Sequence, residues 1–156
     1  MALPEINFNP LTHSQTPNIL LKPSDLAIEI IEKSKGIKGI TISVGEPFDQ
    51  AEGLLSLISS VREKTELSVI LLSGYTYQLL ENKPHFSDII KHIDVLIAGP
   101  YQEKNKTATH LAGSSNKTFH FFTNCYSISY FENIPPAEIY INADGHVLFS
   151  GIEKIH

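Results

Sequence analysis

Apolar runs and amphipathic runs alternate along the first two thirds of the chain, and the alternation has a βα rhythm. Leu26, Ala27, Ile30 and Ile31 share one helical face, with Ser24 as N-cap, Asp25 in the first turn and Gly36 as the stop. "IKGITIS" (37–43) is short and β-branched and predicts a strand. Residues 48–64 predict the clearest helix, because Ala51, Leu54, Leu55, Ile58 and Val61 recur at helical spacing. "LSVILLS" (67–73) and "IDVLIA" (93–98) are near-continuous apolar runs, as expected of strands covered on both faces. Two short helical stretches, near 76–82 and 86–92, lie between them. This order predicts parallel strands joined by right-handed helical crossovers.

After residue 101 the pattern changes. A polar loop, "QEKNKTATHLAGSSNK", precedes three short strand-like runs, "TFHFF", "AEIYIN" and "HVLF". "NADG" (142–145) predicts the turn of an antiparallel hairpin. Residues 1–23 carry Pro4, Pro10, Pro17 and Pro23 and read as an irregular, extended entry. No repeat and no linker divides the chain, so a single domain over 1–156 is expected.

Composition narrows the function. With 156 residues, 42% hydrophobic and 19% charged, the chain is an ordinary globular one. A net charge of −5 argues against non-specific binding to nucleic acid or an anionic membrane. No apolar run approaches the ~18 residues of a membrane span, and "MALPEINFNP" lacks the features of a secretory signal. A cytoplasmic protein is expected. Cys125 is the single cysteine, so neither an internal disulfide nor a multi-thiolate metal site is expected. The seven histidines show no helical pairing that suggests zinc. A nucleophile elbow, a Walker loop and a dinucleotide glycine pattern are all missing.

The turns "VGEP", "SGYT" and "AGPY" each follow a predicted parallel strand. All three therefore belong on the carboxyl-end rim of the sheet, where α/β sites are built. Gly45, Gly74 and Gly99 let bare backbone approach a ligand. Glu46 offers a carboxylate for an ammonium group, and Tyr75 and Tyr101 offer aromatic faces. Turn chemistry alone explains any one of these segments. Three in register with a carboxylate point to a site.

"GITISVGEPFDQAEGLL" resembles the "GGEP" turn of radical S-adenosylmethionine enzymes. "LSGYTYQLL", "HIDVLIAGPY" and "HLAGSSNKTFHF" resemble further segments of the organic-radical activating branch, nearest in pattern to the activating proteins of anaerobic ribonucleoside-triphosphate reductase. The resemblance covers about residues 24–122, with 1–23 as an irregular N-terminal segment. It implies an α/β fold, a partial (β/α) barrel of parallel strands, here missing its first strand and followed by a C-terminal antiparallel hairpin. In such enzymes a [4Fe-4S] cluster reductively cleaves S-adenosylmethionine, and the radical formed takes a hydrogen atom from a glycine of a glycyl-radical enzyme partner. By resemblance Gly45, Glu46 and Pro47 receive the cofactor's amino group, with Ser73, Gly74 and Tyr75 shaping the pocket and Ser114, Ser115 and Asn116 forming a late element.

The resemblance breaks at the cluster. Its motif is C-x₃-C-x₂-C, and close relatives follow the third cysteine with "FNP" and "TH". Here "INFNPLTH" (6–13) puts Asn7 at the third position and Pro4 at the second, and the first falls before Met1. Val44 stands for the first glycine of the turn, and Ala98 for an aspartate. No cluster is therefore expected in this chain, and no catalytic residue is assigned. The expectation is an activating-enzyme-like protein that is truncated or inactive. The alternative is a non-catalytic module that binds S-adenosylmethionine, another nucleoside or a protein partner. Without its first strand, 37–43 is left with a bare edge, a route to self-association.

Overall fold

The computed structural model describes residues 6–8, 19–43, 45–107, 111–133, 137–141 and 147–151. Two short strands open it, β1 (Ile6–Phe8) and β2 (Ile19–Leu21), paired antiparallel with Ile6 opposite Leu21. This corrects the irregular reading of the entry segment: each piece is a three-residue run too short for periodicity to register, and the two stabilise each other by backbone pairing. Helix α1 (Pro23–Lys33) follows. Its N-cap is Lys22 rather than Ser24, because Pro23 takes the first helical position, where its fixed φ and missing N–H cost nothing. Gly36, at φ +90, lies past the helix, which closes at Ser34.

The central sheet has the strand order β3-β4-β5-β6. It comprises β3 (Gly39–Ile42), β4 (Ser68–Ser73), β5 (Val95–Ala98) and β6 (Thr118–Phe121). The first three are parallel, as their βα spacing predicts. β6 returns antiparallel beside β5, with Thr118 opposite Ala98. Among the described residues no strand pairs with the outer edge of β3. The architecture is thus a mixed α/β fold on an open four-stranded sheet.

Helix α2 (Ala51–Lys64), entered through a 3₁₀ turn at Pro47–Gln50, buries Leu54, Ile58 and Val61, so its predicted face holds. Together with the short α3 (Tyr77–Leu80) and α4 (Phe86–Ile89) it covers one sheet face over Val69, Leu71 and Leu96. The other face, with Ile70, Val95 and Ile97, is closed by Phe131 of α5 (Ile128–Glu132). Strands β7 (Ala137–Ile141) and β8 (Val147–Gly151) pair as the predicted hairpin, whose "NADG" turn lies outside the described residues.

Because β6 runs backwards, His120 meets α3 across the sheet edge. Its ring stacks on Tyr77 at 3.9 Å, and its Nε2 is 2.8 Å from Thr118 Oγ1. Burial lowers its pKa below the ordinary 6.5, opposed by the charge of Glu81. A folded-state pKa below the unfolded one means the unfolded chain takes up the proton first. This contribution to stability is intact above about pH 6.5 and is lost as the pH falls through the folded pKa. The melting temperature is expected to drop on acidification through that window, and His120→Gln is expected to flatten the slope. An unchanged slope in the variant would contradict the assignment.

Candidate functional site

Glu46 ties the first two strand-end turns together. Its Oε1 accepts from Ser73 Oγ at 2.8 Å and from Phe48 N at 3.2 Å, and its Oε2 accepts from Gly74 N at 2.8 Å. The sequence dictates this locally. Gly45 takes φ +69, a left-handed turn that frees the next residue to point along the rim. Pro47 and the 3₁₀ turn then present the Phe48 N–H to the carboxylate as a cap. At Gly74 an added Cβ would sit 3.4 Å from Glu46 Oε2. The third turn joins through the backbone, since Gly99 N donates to Ser73 O at 3.2 Å. Gly45, Gly74 and Gly99 are thus at one end of the sheet, with Glu46 among them. Val44 lies outside the described residues.

The aromatic residues are engaged differently. The Tyr75 hydroxyl donates to Asp49 Oδ1 at 2.9 Å, and Lys83 sits over its ring at 4.1 Å. Lys83 also pairs with Asp49 at 3.0 Å, an exposed pair in which the lysine holds the carboxyl below its usual range. Tyr101 donates to Glu103 and is about half exposed. Pro47 is buried beneath the turn.

The late "SSN" element reaches the same rim because β6 starts there. Asn116 Nδ2 donates to Pro100 O at 2.9 Å, which seats the loop on the third turn. Ser114 Oγ and Asn116 Oδ1 are buried without a hydrogen-bond partner among the described residues. Ser115 N donates to Asn105 O, away from the turns. Lys117 follows directly. Its Cα lies 3.4 Å from where a Gly99 Cβ would stand, an approach that only glycine at φ +132 admits easily. Burial lowers the Lys117 pKa, and the nearby charge of Glu46 partly restores it.

Strand-end turns of an open α/β sheet thus gather near one carboxylate, at the end of the sheet where α/β folds build their sites. Residues 7–120 match the family described as a 4Fe-4S single cluster domain, well over half the chain, and the chain belongs to that family. No curated protein and no solved structure matches it.

A [4Fe-4S] cluster is held by several cysteine thiolates. The one cysteine of these 156 residues, Cys125, is exposed and lies beyond the matched segment. It sits in the turn after β6, its N–H bonded to Thr123 Oγ1 at 3.3 Å. Among the described residues no three His, Cys, Asp or Glu side chains converge as a metal site. Asparagine and proline, which stand at the expected ligand positions 7 and 4, supply no thiolate. The residues present do not fit the cluster. Among the described residues no helix is long and apolar enough to cross a membrane.

Proposed function

We propose that the chain is a radical S-adenosylmethionine activating-enzyme-like domain that keeps the cofactor-binding rim but not the cluster, and so binds without cleaving. The observation that carries this reading is Glu46, whose carboxylate draws Ser73 and Gly74 to the Gly45 turn. A carboxylate has about four acceptor positions, and the chain's own donors use three. The remaining one is suited to the ammonium of S-adenosylmethionine, as a charge-assisted hydrogen bond. Gly45, Glu46 and Pro47 would hold that amino group, with Ser73, Gly74 and Tyr75 shaping the pocket. Family membership supports the reading, because the activating enzymes that the sequence resembles are themselves iron–sulfur proteins.

The shortage of thiolates favours a binding role over hydrogen abstraction from a glycyl-radical partner. When present in such enzymes, the cluster supplies the electron that breaks the cofactor's carbon–sulfur bond. Here the residues can only bind and orient. Calorimetric titration with S-adenosylmethionine is expected to give saturable binding with a Kd of roughly 0.1 mM, about −5.5 kcal/mol. No saturable heat at millimolar ligand would defeat the proposal. Stoichiometric iron and sulfide retained after anaerobic reconstitution would restore the catalytic alternative.

A further inference from the structure

The antiparallel return of β6 has brought a cation to a rim that already holds a carboxylate. Ala98 at the end of β5 faces Thr118 at the start of β6, so Lys117 stands beside the third turn. Its main chain is fixed there by the close approach to Gly99. Gly99 N in turn bonds Ser73 O, and Ser73 Oγ bonds Glu46. The Lys117 backbone thus stands beside a turn that is hydrogen-bonded through Ser73 to the Glu46 carboxylate.

The lysine is half-buried and its ammonium forms no hydrogen bond or ion pair among the described residues. Lys83, by contrast, is paired with Asp49. The Glu46 carboxylate acts on Lys117 only from a distance, and a partly desolvated ammonium with no ion-pair partner in direct contact still gains from an anion. The adjoining loop carries buried polar atoms as well: Ser114 is fully buried, and among the described residues its hydroxyl and Asn116 Oδ1 find no hydrogen-bond partner. Buried polar groups in native proteins are nearly always satisfied, by water or by a ligand. A cation and a carboxylate on one rim suit a zwitterion, an ammonium for Glu46 and a carboxylate for the lysine.

We propose that Lys117 is the anion anchor of the rim and receives the α-carboxylate of the bound amino-acid moiety. The inference rests on the reading of the rim as an S-adenosylmethionine site. It gives the carboxylate a protein partner in a chain whose residues do not fit a cluster. Nothing in the turn motifs assigns Lys117 this part.

Two measurements test it. Lysines are reductively methylated with ¹³C, and the Lys117 signal is identified by its loss in Lys117→Arg. The signal is expected to move with S-adenosylmethionine and with inorganic phosphate, and to stay in place with decarboxylated S-adenosylmethionine. In calorimetry, Lys117→Gln is expected to weaken S-adenosylmethionine binding about tenfold, the worth of one charge-assisted contact, and to leave the decarboxylated compound unaffected. A signal unmoved by both S-adenosylmethionine and phosphate overturns the anchor. So does an equal loss of both ligands in Lys117→Gln, which marks a merely structural role. If S-adenosylmethionine gives no heat while phosphate still moves the signal, the ligand assignment fails and the anchor stands.

Discussion

Asp94→Ala is expected to cost about 3–5 kcal/mol, measured by urea denaturation, the range for leaving one member of a buried ion pair alone. Asp94 is 3% exposed and precedes β5. Its Oδ2 accepts from Val69 N at 2.7 Å, and its Oδ1 from Thr123 Oγ1 at 2.6 Å and Arg62 Nη2 at 3.1 Å. Arg62 gives two further N–H groups to His92 O at 3.0 Å and Leu67 O at 2.9 Å. One carboxylate therefore joins α2, the start of β4 and the segment after β6. Alanine would strand the Val69 N–H inside the sheet and leave the guanidinium short of its counter-charge. Against a typical total of about 5–15 kcal/mol, such a loss removes much of the folded state. The double variant Asp94→Leu with Arg62→Met is expected to recover part of it, since no charge is then orphaned. A loss below about 1 kcal/mol in Asp94→Ala would show that the network carries little.

That network was invisible in the chain read linearly. "IDVLIA" reads as an apolar strand, and nothing in it tells where a carboxylate at its head will find donors 25 to 32 residues away. The same limit hides Lys117, because "TFHF" predicts a strand without a direction, and only the antiparallel return brings its first neighbour to the rim. Helix α5 is five residues long, too short for periodicity to register, yet its Phe131 is fully buried against the second sheet face. What could be read was local or repeated. The face of α2, the apolar runs of β4 and β5, and the glycines at three strand ends all follow from spacing. Parallel order then places those glycines on one rim. Which donors Glu46 would meet there is a three-dimensional matter, and it revises the picture: the carboxylate is first a brace for its own turns.

That brace predicts the second large effect. Glu46→Gln is expected to lower affinity for S-adenosylmethionine at least tenfold and stability by about 1–2 kcal/mol, although glutamine has the same shape. The carboxylate accepts on both oxygens, from Ser73 Oγ and Phe48 N on one and from Gly74 N on the other. Glutamine has one acceptor oxygen, so its amide nitrogen must face a donor wherever the side chain is turned. If it faces Gly74 N, the exposed second turn swings away from the first. If it faces Ser73 Oγ, a hydroxyl that is 2% exposed loses its acceptor unless it rotates toward another. Either outcome opens the rim and also removes the charge that would meet an ammonium. Glu46→Asp separates these effects. It keeps the charge but withdraws it by one methylene, so it is expected to lose the bridge to Gly74 while retaining part of the electrostatic attraction. Affinity should therefore rank wild type, then aspartate, then glutamine, in calorimetry at low ionic strength. Equal affinity of the glutamine variant and wild type would mean that the ligand does not use this carboxylate, and the rim would lose its claim to be the binding site.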